Sequence, residues 1–144
     1  MPVRQRSTQR DNPAMRKDEV ARGPRGRVIL IDSITQLAAG DDGAIVVSGS
    51  HGGTSSGTFA LERQLRLVFF NDAGVGKDEA GIAALAMLQA RGVAAAAVAH
   101  TSARIGDALD AWQHGVISRV NARAHALGLR SGESARDAAE RLLA

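Results

Sequence analysis

Four runs of uninterrupted apolar residues divide the chain: within Arg27 to Asp32, over Ala44 to Val47, over Leu67 to Phe70 and over Val93 to Ala99. None alternates apolar with polar positions, and that lack of alternation predicts strands covered on both faces. Between and after them the spacing turns helical. A brief helix follows Ser33 and is closed by Gly40, and a second spans about Ser56 to Gln64. Lys77 to Arg91 places Ile82, Leu85, Ala86 and Leu88 on one side and stops at Gly92. The last third reads as helices around Gly106 to Gln113, from Ile117 to Leu127 with Gly128 as the stop, and from Ser134 to Leu143.

Strands alternating with helices predict an α/β fold, a small three-layer sandwich with a mainly parallel sheet of about four strands. Residues 27–144 form that single α/β domain, and residues 1–26 precede it as a flexible, disordered basic arm. All three prolines, Pro2, Pro13 and Pro24, fall in this arm. A sheet of four strands leaves edges to protect, so a homo-oligomer is expected.

Composition limits the core. Of 144 residues only Phe59, Phe69, Phe70 and Trp112 are aromatic, so the interior is built from Ala, Val, Leu and Ile and its layers pack closely. Charge changes the picture more. The formal charge is +3, but it is unevenly placed: in residues 1–27 eight basic side chains face only Asp11, Asp18 and Glu19, which leaves the remainder mildly acidic. Such an arm could hold nucleic acid weakly through phosphate contacts, although it has no aromatic to stack on a base. The chain has no cysteine, so thiol nucleophiles, thiolate metal sites and disulfides are excluded. No apolar run approaches bilayer length, and no signal-peptide pattern opens the chain; a cytoplasmic protein with no membrane partner is expected.

The apolar runs end in reactive clusters. Ser48-Gly49-Ser50-His51-Gly52-Gly53 follows the second strand, Asn71-Asp72-Ala73-Gly74 the third, and His100-Thr101-Ser102-Ala103-Arg104 the fourth. In an open parallel sheet ligands bind beyond the carboxyl ends of the strands, so the clusters are expected to share one crevice. A strand, a small-x-Ser-x-Gly turn and a helix resemble the nucleophile elbow of the α/β-hydrolases, with Ser48 in place of the usual first glycine. That resemblance implies Ser50 as nucleophile, Asp72 as the acid and His100 as the base, in the family's chain order. Gly52 and Gly53 are expected to supply backbone donors to an anion or a developing oxyanion. Ser48, His51, Asn71, Ser102 and Arg104 are expected to contact the ligand, with Arg104 gripping a carboxylate or phosphate.

Two nucleotide motifs fail over Asn71 to Lys77. A P-loop requires glycine where Asn71 stands and Ser or Thr where Asp78 stands, and a dinucleotide fingerprint from Gly74 requires glycine in place of Glu79. No cofactor is assigned. Asp32, His51, Asp72 and His100 could meet around a divalent ion if all strand ends converge, but their spacing does not support a metal, and none is assigned. The expected function is that of an α/β enzyme acting on a small anionic substrate, a hydrolase or a related acyl- or C–N-cleaving enzyme. The alternative is a non-catalytic module that binds a nucleotide or another anion and reports its occupancy to a partner.

Overall fold

The computed structural model describes residues 15–144. It is an α/β structure on a six-stranded mixed sheet whose spatial order is the chain order. The strands are β1 (Lys17–Gly23), β2 (Gly26–Ile31), β3 (Ile45–His51), β4 (Leu67–Asn71), β5 (Ala94–Val98) and β6 (Ile117–Val120). β2 to β5 run parallel, and antiparallel β1 and β6 flank them. Five α-helices accompany the sheet: α1 (Thr54–Ala60), α2 (Ala83–Ala90), α3 (Ala108–His114), α4 (Ala122–Ala126) and α5 (Ala135–Leu143).

The expected four strands are thus the parallel centre of a larger sheet. β1 corrects the boundary of the arm: Lys17–Gly23 pairs with β2 through a hairpin, and the rest of the arm, residues 1–14, lies outside the described residues. Five of the seven β1 residues are exposed and only Ala21 and Gly23 are half-buried, so β1 carries no apolar signature and is held mainly by its backbone ladder. Lys17 fastens one end by donating to Asp41 Oδ2 (2.9 Å). β6 corrects the helix expected from Ile117 to Leu127. Only Ala122–Ala126 is α-helical there, and Ile117-Ser118-Arg119-Val120 pairs with β5. The helix expected over Lys77 to Arg91 is α-helical only from Ala83. Before it lies a kinked 3-10 segment, Lys77–Ile82, with Asp78 and Glu79 in the left-handed region.

Each central strand feeds two cores. Val28, Leu30, Ile45, Val47, Leu67 and Phe69 face α3 and α5, while Ile29, Ile31, Val46, Val68 and Phe70 face α1 and α2. Each such side chain, fully buried, contributes on the order of 1.5–3 kcal/mol. β5 needs special packing because Ala94–Val98 is nearly all alanine; this allows α4 to approach closely. Among the described residues no helix is long and apolar enough to cross a membrane.

The order of connections decides where a crevice opens. β2, β3 and β4 lead to segments on one face of the sheet, whereas β5 leads to α3 on the other. Connections that diverge to opposite faces mark a switch point between adjacent carboxyl ends, here those of β4 and β5.

Candidate active site

Asp72 follows β4 and His100 follows β5, one on each side of that switch point. Asp72 is buried and accepts four hydrogen bonds. The amides of Gly74 (2.8 Å) and His100 (3.0 Å) donate to Oδ1, the Ser118 hydroxyl donates to Oδ2 (2.6 Å), and His100 Nδ1 lies 3.2 Å from Oδ1. Burial pushes the Asp72 carboxyl up, but the Ser118 hydroxyl, the two amides and the His100 ring outweigh it and hold the carboxyl below its ordinary value. Asp72 therefore stays an anion. An anion at Nδ1 fixes the proton there and leaves Nε2 as the basic nitrogen. The His100 side chain is 55% exposed against 6% for Asp72, so the imidazole reaches solvent from a buried, oriented anchor.

The backbone that aims Asp72 is strained. Ala73, Val75, Asp78 and Glu79 all have left-handed φ angles, between 51° and 66°. For a β-branched residue such as Val75 this conformation is costly, and such residues concentrate at functional sites. Gly81 is required by the same turn, because a side chain there would run into the carbonyl of Asp72.

A cavity of about 440 Å³ lies beside β2 and β3. Asp32, Ser33, Ser50, His51 and Ile105 line it. Ser50 and His100 are not brought together: Ser50 Oγ accepts the Ile34 amide (2.9 Å), and His100 opens instead on a shallow depression with Thr101, Ser102, Arg104 and Asp110. The reason is the facing of β3. Its residues alternate, so Ser48 and Ser50 lie on the side of the Ile34 turn and α1, while Gly49 faces the loop before α3. Asp32 is occupied too: its oxygens accept the amides of Arg16 (2.7 Å) and Ala108 (2.9 Å).

Ser48, Asn71, Ser102, Gly52 and Gly53 are engaged in hydrogen bonds within the fold. Ser48 is buried and donates to the Phe69 carbonyl (2.8 Å). Asn71 Nδ2 donates to the Ala103 carbonyl (2.9 Å), and Ser102 donates to the Ala99 carbonyl (2.7 Å). The Gly52 amide donates to the Asn71 carbonyl (3.1 Å) and the Gly53 amide to His51 Nδ1 (3.2 Å), so neither is a free anion donor. These two glycines answer to packing: a side chain at Gly52 would meet the Gly81 carbonyl at 2.9 Å, and one at Gly53 the His51 ring at 2.8 Å. Arg104 is exposed beside His100, within 4.0 Å of Asp107 and 3.7 Å of Asp110.

One loop joins the two places. From His100 it passes over β4, where Asn71 holds Ala103, and over β3, where the Gly106 amide donates to the Gly49 carbonyl (2.6 Å). Gly49 permits this approach, since a Cβ there would sit 2.6 Å from the Asp107 nitrogen. Ser118 is the functional neighbour that sequence reasoning missed. Its signal was the β-branched residues Val116, Ile117 and Val120 following Gly115, which fit a short strand as well as a helix.

Among the described residues no three His, Asp or Glu side chains converge as a metal site; Asp32 and His51 line one cavity, and Asp72 and His100 pair with each other elsewhere. Comparison with known proteins found no matching family model, curated protein or solved structure.

Proposed function

We propose that this protein is a hydrolase of a small anionic substrate, with His100 as general base, Asp72 as its orienting anion and Arg104 as the cation nearest the reacting group. The buried Asp72 with its four hydrogen bonds, one of them from a half-exposed imidazole, carries this reading. Water adds to an acyl or amidine-type carbon and loses a proton to Nε2. The bond to the leaving oxygen or nitrogen then breaks as the imidazolium returns that proton. Water is favoured over Ser50 as the attacking group because the Ser50 hydroxyl lines the other cavity and lies against the Ile34 amide. The depression that His100 shares with Thr101, Ser102, Arg104 and Asp110 would take the substrate, with Arg104 at its anionic group.

The test is a panel of chromogenic esters and amides of small dicarboxylic acids, run on the native protein and on His100→Ala, Asp72→Asn and Ser50→Ala. His100→Ala should lose about 10²–10⁴ in turnover while retaining affinity. Ser50→Ala should stay within about tenfold of the native rate, about 1.4 kcal/mol, and a fluorophosphonate should leave the protein unlabelled. Labelling of Ser50 in the native protein but not in His100→Ala would replace water with a serine nucleophile. Full turnover in His100→Ala would overturn the reading. Anions that raise the melting temperature without any hydrolysis would favour the non-catalytic binding module instead.

A further inference from the structure

The opposite, amino edge of the parallel strands carries a different chemistry. Two adjoining cavities of about 400 and 340 Å³ open there and share Leu65. Arg66 and Arg123 line the first, Arg63 and Arg91 the second. Of the nine other arginines among the described residues six are ion-paired, Arg16 with Asp18, Arg22 and Arg27 with Glu19, Arg104 with Asp107 and Asp110, Arg136 with Glu140 and Arg141 with Glu133, whereas Arg25, Arg119 and Arg130 stand singly and line neither cavity. The four at the amino edge have no carboxylate within ion-pair distance among the described residues. Neither lining contains an acidic side chain, and Asp42, which neighbours the second cavity, accepts the Gln64 amide (2.9 Å).

One member is held in place in advance. Arg66 Nη1 donates to the carbonyls of Arg25 and Leu142, both at 2.8 Å, which fixes its guanidinium in the cavity lining and leaves its remaining N–H groups without a partner among the described residues. Concentrated positive charge on a low-dielectric wall focuses anions, and a guanidinium fork matches the oxygens of a phosphate. The floor is aliphatic, from Leu61, Leu65 and Val93, and no aromatic ring offers a base a stacking partner. Two concave pockets of ligand size, each with two arginines, fit a compact molecule bearing two anionic groups better than an extended strand.

We propose that the amino edge is a second binding site, for a diphosphate-class ligand, separate from the His100 site. The diphosphate could come free or as part of a nucleotide, and both present the same chemistry to the arginines.

Calorimetric titration of the full chain with pyrophosphate, with a nucleoside diphosphate and with a single-stranded oligonucleotide tests it. Pyrophosphate should bind saturably, with one site. The Arg91→Ala and Arg123→Ala substitutions, both at exposed positions, should each weaken it by about tenfold, as expected for loss of a charge-assisted contact. Arg63→Ala, in the second cavity with Arg91, provides a further variant should either fail to fold. His100→Ala should leave pyrophosphate affinity unchanged. A nucleoside diphosphate binding more tightly than pyrophosphate identifies the nucleotide as the source; equal affinities identify the diphosphate alone. Loss of binding in His100→Ala, undiminished affinity in the arginine variants, or tight binding of the oligonucleotide with none of pyrophosphate would each overturn the proposal.

Discussion

Asp32 and Asp72 are alike in sequence, each an aspartate just past a buried strand, and in space each has a serine and a histidine nearby, yet the fold uses them differently. Asp32 spends both oxygens on main-chain amides, tying the residue before β1 and the first turn of α3 to the end of β2. Asp72 also takes two amides, but adds a hydroxyl and an imidazole. The difference lies in which segment each aspartate meets. The chain after β5 begins beside Asp72 with His100 and arrives at Asp32 only as a helix N-terminus. Residue type at a strand end therefore locates the edge of a site, and the path of the crossing loop decides which aspartate serves it.

The largest effect that separates the two is on turnover. Asp72→Asn replaces the anion that fixes the His100 tautomer, so it should cost about 10²–10⁴ in rate with a small change in KM. Asp32→Asn should leave the rate near native and instead cost roughly 1–3 kcal/mol of stability, because a carboxamide cannot accept at both positions. Steady-state kinetics and denaturant midpoints on the two variants decide the matter, and equal rate losses would dissolve the contrast.

Gly49→Ala asks whether the crossing loop matters to both aspartates. The added Cβ would press on the Asp107 nitrogen and the Asp32 carbonyl, both backbone atoms that cannot swing aside. A stability loss of about 1–3 kcal/mol is expected, from overpacking. Activity should fall with it, since displaced residues 104–107 lead back to His100. A stable, fully active Gly49→Ala would show that the two ends of the loop are independent.

Much of this was legible in the sequence, and the rest was hidden for definite reasons. Uninterrupted apolar runs mark β2 to β5 because a strand covered on both faces has no solvent side to display. β1 is nearly invisible because an exposed edge strand needs only its backbone, and Asp18, Glu19 and Arg22 look like an arm. β6 was masked by the alanine-rich helix that follows it, and with it went Ser118. The order Asp72 then His100 was readable and its members do meet, whereas Ser50 was assigned to them on motif alone. Motif spacing does not state on which face of β3 the hydroxyl emerges.

Acid should act on the same contrast. Asp72 is held below its ordinary value against the effect of burial, Asp110 by the Arg104 amide and His114 ring, and Glu133 by Arg141. A folded-state value below the unfolded one contributes stability that is complete above the ordinary carboxylate range, roughly pH 4–4.5, and is lost as pH falls through the folded value. Asp72→Asn removes its share, so its unfolding midpoint should vary less between pH 5 and pH 3 than that of the native protein. Urea denaturation across that window measures it, and an unchanged slope would mean that Asp72 is not protected by its hydrogen bonds.

The smallest effect, and the sharpest on mechanism, is that of Ser118→Ala. It removes the 2.6 Å hydrogen bond to Asp72 Oδ2 and leaves the two amides and the imidazole on Oδ1. Because Ser118 is only half buried, water can enter in place of the hydroxyl, so the cost should be about 1 kcal/mol rather than the full penalty of an orphaned charge. The Asp72 carboxyl should rise toward its ordinary value, and the acid loss of stability should begin at higher pH. Turnover at neutral pH should fall only a few-fold, since Asp72 remains ionised there and still holds Nδ1. If turnover instead falls as far as in Asp72→Asn, Ser118 positions the carboxylate and not merely its charge, and the geometry of the pair rather than its ionisation sets the rate.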